Sequence, residues 1–203
     1  MGKALILEIK MRIRKYLTRS ASPLLVVTAL LFLAALPVAA LARAASDEAE
    51  VRSVVQQDFN QLKSGQYEAL YDSLPADSKK RISRERFASA LRRTEDMYKL
   101  DRLEIGKVRV SGDLAVADTV TYGRLLRPVE SDGKIVAQQY LVREDGRWRV
   151  ATGDRATVRR FLAVNPKFAK KFPIREPRIY MKRDKRWVDV TNILKTAVRR
   201  QTK

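Results

Sequence analysis

Neither cysteine nor histidine occurs in the 203 residues. Their absence excludes disulfides, thiol nucleophiles, zinc sites built on Cys or His, and histidine as a general base. A carboxylate-only metal site would need an Asp-rich loop of the calcium-binding kind. The sequence has none, so neither a metal nor a cofactor is expected. The length leaves room for one domain of ordinary size with a targeting segment and a tail, and not for two large domains.

Charge is missing from one long stretch, PLLVVTALLFLAALPVAAL, residues 23–41. Lys10, Arg12, Arg14, Lys15 and Arg19 precede it, and it closes on small residues at Ala40-Leu41-Ala42 and Ala42-Arg43-Ala44. A basic region, an apolar region and a small-x-small site make a secretory signal. Pro37 breaks the helix about one turn before the first site, which favours cleavage, but roughly 19 apolar residues are also long enough to stay as a membrane anchor. Either way the positive charges remain inside and the rest of the chain is exported, to a periplasmic or other extracytoplasmic location. A start at Met11 would leave a signal of more usual length.

The net charge is +19, from 42 Lys and Arg against 23 Asp and Glu. It is unevenly placed. Residues 1–44 carry seven Lys or Arg and one Glu, residues 45–154 carry nineteen of each sign, and residues 155–203 carry sixteen against Glu176, Asp184 and Asp189. The charge of the exported part therefore belongs to its tail. An exported chain meets anionic lipid and cell-wall polymers more often than nucleic acid, and a basic segment near a bilayer gains roughly 1 kcal/mol per Lys or Arg. Lys170, Lys171, Arg175, Arg178, Lys182, Arg183, Lys185 and Arg186 are the candidates for such a surface. The alternative is an ordinary solvated face.

Within the neutral region, DEAEVRSVVQQDFNQLKSG predicts a long amphipathic helix. Ser46 is placed to cap it, Val51, Val54, Val55, Phe59 and Leu62 fall on one face, and Gly65 stops it. A short helix follows in QYEALYDSL and ends at Pro75. A third starts at the cap Ser83 and turns Phe87, Ala90 and Leu91 inward.

After Lys99 the apolar period changes from helical to alternating. KLDRLEIGKVRV switches parity at Gly106, where a bulge would bend a strand. Turns are expected at Ser111-Gly112-Asp113, at Asp132-Gly133 between RLLRPVE and KIVAQQYLVR, and at Asp145-Gly146, since both residues of an Asp-Gly pair tolerate positive φ. With the last as a hairpin tip, Arg143 pairs with Trp148 and Leu141 with Val150, so that Leu141, Trp148 and Val150 share a face.

Helices followed by a meander of antiparallel strands make an α+β fold. Residues 46–152 resemble the nuclear transport factor two-like superfamily, which includes the SnoaL-like polyketide cyclases. The resemblance rests on the long first helix, the short helix in YEALYDSLP, the SRERFASAL helix start and the closing DGRWRV strand. It implies three helices on a curved antiparallel sheet, enclosing a cone-shaped pocket that some relatives use for catalysis and others for binding or assembly. Phe59, Tyr71, Tyr140 and Trp148 are the aromatics expected to line it, around a small apolar ligand.

In LAVADTVTYG the inward parity holds Leu114, Val116, Asp118, Val120 and Tyr122. A carboxylate on an apolar face has the raised pKa that suits a general acid or base. Asp118 with Tyr122, and Tyr71 or Tyr140 as further donors, is the one catalytic constellation the sequence offers. The competing reading pairs Asp118 with Arg109 or Arg124.

Finally, REDGRWRVATGDRATVRR at 143–160 and KRDKRWVDVTNILKTAVRR at 182–200 match at Arg143/Lys182, Asp145/Asp184, Arg147/Arg186, Trp148/Trp187 and Thr152/Thr191, and they hold both tryptophans of the chain. A hairpin is expected in each, without duplication of a domain, although Lys185 is a poorer type I′ turn residue than Gly146. Between them RATVRRFLAV predicts a helix stopped by Asn165-Pro166, followed by extended chain through FPIREPRIY. Thr191 is placed to cap a last helix carrying Ile193, Leu194, Ala197 and Val198. The basic extension, residues 155–203, is expected to dock through Trp187.

Three functions fit these features. The first is an exported, non-catalytic module that binds a small ligand or a partner. The second is a membrane-tethered assembly component, similar in its order of basic N-terminus, single span and outward domain to a periplasmic inner-membrane subunit of type IV secretion systems. The third is an isomerase, cyclase or dehydratase using Asp118.

Overall fold

Helix α1 runs over residues 45–63 and buries Val51, Val55 and Phe59 along one face. It ends at Gly65, whose φ of +71° is the left-handed conformation that lets the chain leave a helix. Ser46 lies inside the helix and not at its cap, with its hydroxyl on Glu50. Helix α2 (Tyr67–Ser73) follows; past Pro75 the chain forms one more short helix, α3 (Ala76–Lys79). Helix α4 (Arg84–Arg92) starts at Ser83, whose hydroxyl accepts the Arg86 N–H. Phe87 and Leu91 are half-buried and turned inward as predicted, whereas Ala90 is exposed and Ala88 is the buried residue.

The structure, a computed structural model, describes residues 45–127, 130–151, 155–193 and 196. The apolar run 23–41 and Leu194, Ala197 and Val198 of the last predicted helix lie outside them. Among the described residues no helix is long and apolar enough to cross a membrane.

Strands β1 (Tyr98–Ser111), β2 (Leu114–Leu125), β3 (Ser131–Glu144) and β4 (Arg147–Val150) are antiparallel neighbours in sequence order. Bulges interrupt β1 between Leu100 and Arg102 and between Ile105 and Val108. The second, at Gly106, brings Leu103 and Ile105 onto the same face as Val108 and Val110, as the parity switch predicts. Asp132-Gly133 is not a turn. Both residues lie within β3, opposite Arg124 and Gly123, and the pairing of β2 with β3 continues to Leu125 and Ser131. Arg124 and Leu125 of RLLRPVE still pair with Asp132 and Ser131, so the ladder runs past the dipeptide that could have turned. Gly123 is required there: a Cβ on it would meet the Lys99 carbonyl at 2.7 Å.

After β4 come α5 (Arg155–Val164) and α6 (Pro166–Lys171), then the hairpin β5 (Arg178–Arg183) and β6 (Arg186–Asp189). Pro166 ends one helix and is the first residue of the next, where its missing N–H costs nothing. Strand β5 pairs with β3 over Gly133–Val136, on the edge that β4 occupies over Leu141–Glu144, so all six strands form one open antiparallel sheet. The fold is thus α+β.

The sheet carries a core on each face. On one, α1 contributes Val51 and Val55 against Ala115, Ala117, Leu141, Trp148 and Val150. On the other, Leu162 of α5 and Phe168 of α6 cover Val116 and Tyr140. The basic extension docks through these residues and β5, and Trp187 stays 39% exposed. Thr191 does not cap a helix: its hydroxyl accepts the Ile179 N–H at 2.9 Å.

Candidate functional site

A cavity of about 690 Å³ opens between α1, the short helices and the sheet. Four α1 residues line it, Val55, Asp58, Phe59 and Leu62, at the spacing that places residues on one helical face. Leu70 and Leu91 come from α2 and α4, and Leu103, Thr121, Ala137 and Gln139 from the sheet. The far wall passes the stretch of the β3 edge that lies between β4 and β5. Gln138 occupies that stretch, where its Oε1 accepts the Tyr140 hydroxyl at 3.0 Å and the Arg175 N–H at 2.8 Å. Arg81, Arg160, Arg175 and Glu176 contribute the remaining charges of the lining.

Asp58 is the residue that distinguishes this cavity. Burial pushes its carboxyl up from the ordinary 3.8 to about 6, and only a hydrogen bond with Ser73 acts in the other direction. The Ser73 hydroxyl has one proton, which it donates to the Leu70 carbonyl at 2.8 Å. Among the described residues no Lys or Arg pairs with it. The sequence contained the signal: Asp58 stands three residues after Val55 and four before Leu62, inside the apolar stripe. The predicted stripe, drawn from apolar residues alone, does not include it.

Of the four aromatics predicted to line a pocket, Phe59 and Tyr140 do. Tyr71 and Trp148 do not. The Tyr71 hydroxyl donates to the Ile82 carbonyl at 3.1 Å, with the Arg84 guanidinium over its ring. Trp148 lies in the α1-side core, 4% exposed, beneath the Arg143 guanidinium at 4.4 Å.

Asp118 and Tyr122 are not brought together. Asp118 accepts from Arg109 at 2.6 Å, with Arg175 at 3.7 Å and Gln138 at 3.4 Å. Tyr122 donates instead to Glu104 at 3.1 Å, and its ring lies under the Arg102 guanidinium. The Asp118 and Arg109 side chains are 29% and 17% exposed, so the pair is partly desolvated. Asp118→Asn is expected to lower stability by about 1–2 kcal/mol, below the cost of breaking a fully buried pair. Urea unfolding measures this. An unchanged midpoint would mean that Arg109 finds another acceptor.

All eight basic residues proposed for an anionic surface are exposed. Lys170 and Lys171 end α6, and Arg178, Lys182 and Arg183 run along β5. Arg175, Arg178 and Lys182 already face Asp118, Asp189 and Asp132 at 3.7, 4.0 and 3.5 Å. Around the hairpin tip, Arg183 stands opposite Arg186, with Lys185 in the turn. Like charges directly opposite one another are unfavourable until something anionic arrives.

No protein-family model matches the chain, and no curated protein matches it. What the site can do follows from its own chemistry. The cavity is largely apolar and falls within the roughly 300–1,000 Å³ typical of small-molecule pockets. Asp58, with Ser73 beside it, is the polar point in its α1 wall.

Proposed function

We propose that the chain is an exported, non-catalytic small-ligand-binding module of the nuclear transport factor two-like type. The observation that carries this reading is the cavity of about 690 Å³ between α1 and the sheet. Pockets for small molecules are roughly 300–1,000 Å³, mostly apolar, with a few placed polar groups. The two β1 bulges support the cone-shaped arrangement, because bulges bend and twist the strand that carries them. Asp118, held by Arg109 and Arg175, supports the binding reading over an enzyme that uses it. Export, with residues 23–41 as cleaved signal or inner-membrane anchor, rests on the sequence signal. So does contact of the basic extension with anionic lipid or a cell-wall polymer, to which the exposed Arg183, Lys185 and Arg186 add support.

The test uses 2-(1-naphthyl)ethanol, a neutral apolar probe, titrated by its fluorescence. Saturable one-site binding is expected, weakened at least tenfold in Ala137→Trp, whose indole would fill the cavity from the sheet side. Circular dichroism checks that the variant is folded. Equal binding by both folded proteins would place the probe elsewhere and overturn the reading.

A further inference from the structure

Resting on that ligand-binding reading, we infer that the cavity takes a protonated amine carried on an apolar body, with Asp58 as its anchor. Asp58 is the one charged residue α1 contributes to the lining, set among Val55, Phe59 and Leu62. A carboxylate in such surroundings needs donors and a counter-charge, and the protein supplies neither in full. Ser73 has a single proton, already directed to the Leu70 carbonyl. An ammonium brings up to three N–H donors and the positive charge together, and charge-assisted hydrogen bonds are roughly twice as strong as neutral ones. A neutral alcohol brings one donor and no charge. A carboxylate ligand would be repelled.

The other charged lining residues do not neutralise Asp58. Arg81 is paired with Asp77, Arg175 lies at 3.7 Å from Asp118, and Arg160 donates to the Thr157 hydroxyl at 3.3 Å. All three arginines, and Glu176, are exposed. At the solvated rim their fields are screened over about 8 Å at physiological salt. Because burial raises the Asp58 carboxyl to about 6, a proton competes with the amine below that pH. Amine affinity is therefore expected to fall as the medium is acidified, although the amine itself stays charged.

Three naphthyl probes of matched shape separate the possibilities: 2-(1-naphthyl)ethylamine, 2-(1-naphthyl)ethanol and 1-naphthylacetate, each titrated calorimetrically into the wild-type protein and Asp58→Asn. An alkylamine, with a pKa of about 10, is protonated at pH 8. At pH 8 the wild-type protein is expected to bind the amine at least tenfold more tightly than the alcohol, and the carboxylate most weakly. At pH 4.5 the amine preference disappears. Asp58→Asn removes the preference at both pH values, and circular dichroism checks that the variant is folded. Alcohol binding with no amine preference at pH 8, or a preference that survives in Asp58→Asn, overturns the amine assignment and leaves the cavity reading standing. Tightest binding of the carboxylate overturns it in favour of the rim arginines. If none of the probes binds, the cavity reading falls and takes the amine assignment with it.

Discussion

Replacing Trp148 by alanine is expected to lower the unfolding free energy by about 4–5 kcal/mol, the upper part of the range for deleting a buried aromatic. Trp187→Ala, at the matching position of the second hairpin, is expected to lower it by only about 1–2 kcal/mol, because no enclosed void is left. The two residues have the same local setting. Trp148 stands opposite Arg143 and Trp187 opposite Lys182, each one residue past Arg147 or Arg186. Both turns are left-handed at two positions, with φ of 51° and 73° at Asp145-Gly146 and 49° and 62° at Asp184-Lys185. What differs is the covering. Trp148 is 4% exposed beneath α1, whereas Trp187 is 39% exposed, with the edge of Tyr122 at 6.2 Å and the Lys134 ammonium at 4.7 Å.

Removal of Trp148 also deprives the Arg143 guanidinium of the ring it covers, and Arg143 holds Asp47 at the start of α1. The loss therefore extends from the sheet to the helix that walls the cavity. Chemical denaturation of both variants decides the matter. Equal losses would show that the second hairpin is as deeply integrated as the first.

The second large effect has the opposite sign. Asp58→Asn is expected to stabilise the protein at pH 8 by at most roughly 3 kcal/mol, since one pKa unit is worth about 1.4 kcal/mol. The folded state raises the Asp58 carboxyl above its unfolded value, so folding favours the protonated form. Its contribution is fully present below 3.8 and is lost as pH rises through about 6. Asn at position 58 does not titrate. The variant's advantage should therefore grow across that window and vanish on its acidic side, as measured by urea midpoints at a series of pH values. A stabilising salt bridge to Asp58 would reverse the sign, with Asn costing stability at neutral pH. A carboxylate kept at a cost in stability, inside a cavity, is the pattern of a functional group.

Much of the fold was legible because it is set by short-range geometry. The apolar stripe of α1 follows from helical spacing, and its stop at Gly65 from the left-handed φ that glycine tolerates. The bulge at Gly106 showed as a change of parity. Asp145-Gly146 and Asp184-Lys185 were both readable as turns. The same local rule failed at Asp132-Gly133, where pairing with β2 extends the chain through a dipeptide that could have turned. The stop at Asn165-Pro166 held, since the helix ends at Val164, but the new helix that Pro166 opens was not legible, because proline suits the first position of a helix as well as the end of one. Of the residues expected in a pocket from their type and place in the pattern, Phe59 and Tyr140 line the cavity. Asp58 was not among those expected, because a single acid in an amphipathic helix looks the same whether it faces water or a cavity.

By itself the sequence determined what chemistry is excluded, through the absence of Cys and His, and where the charge and the helices and hairpins lie. Backbone sterics, side-chain period and ionisation act within a few residues, so they need no partner. Only the tertiary structure decided that β5 joins β3 beside β4, that α5 and α6 cover the second face, and that of two tryptophans in similar hairpins one is core and the other 39% exposed. It likewise divided the two aspartates, giving Asp118 the arginines and leaving Asp58 to the cavity. Desolvation and pairing depend on which distant segments arrive at the same place, and that is a property of the packed chain rather than of any stretch of it.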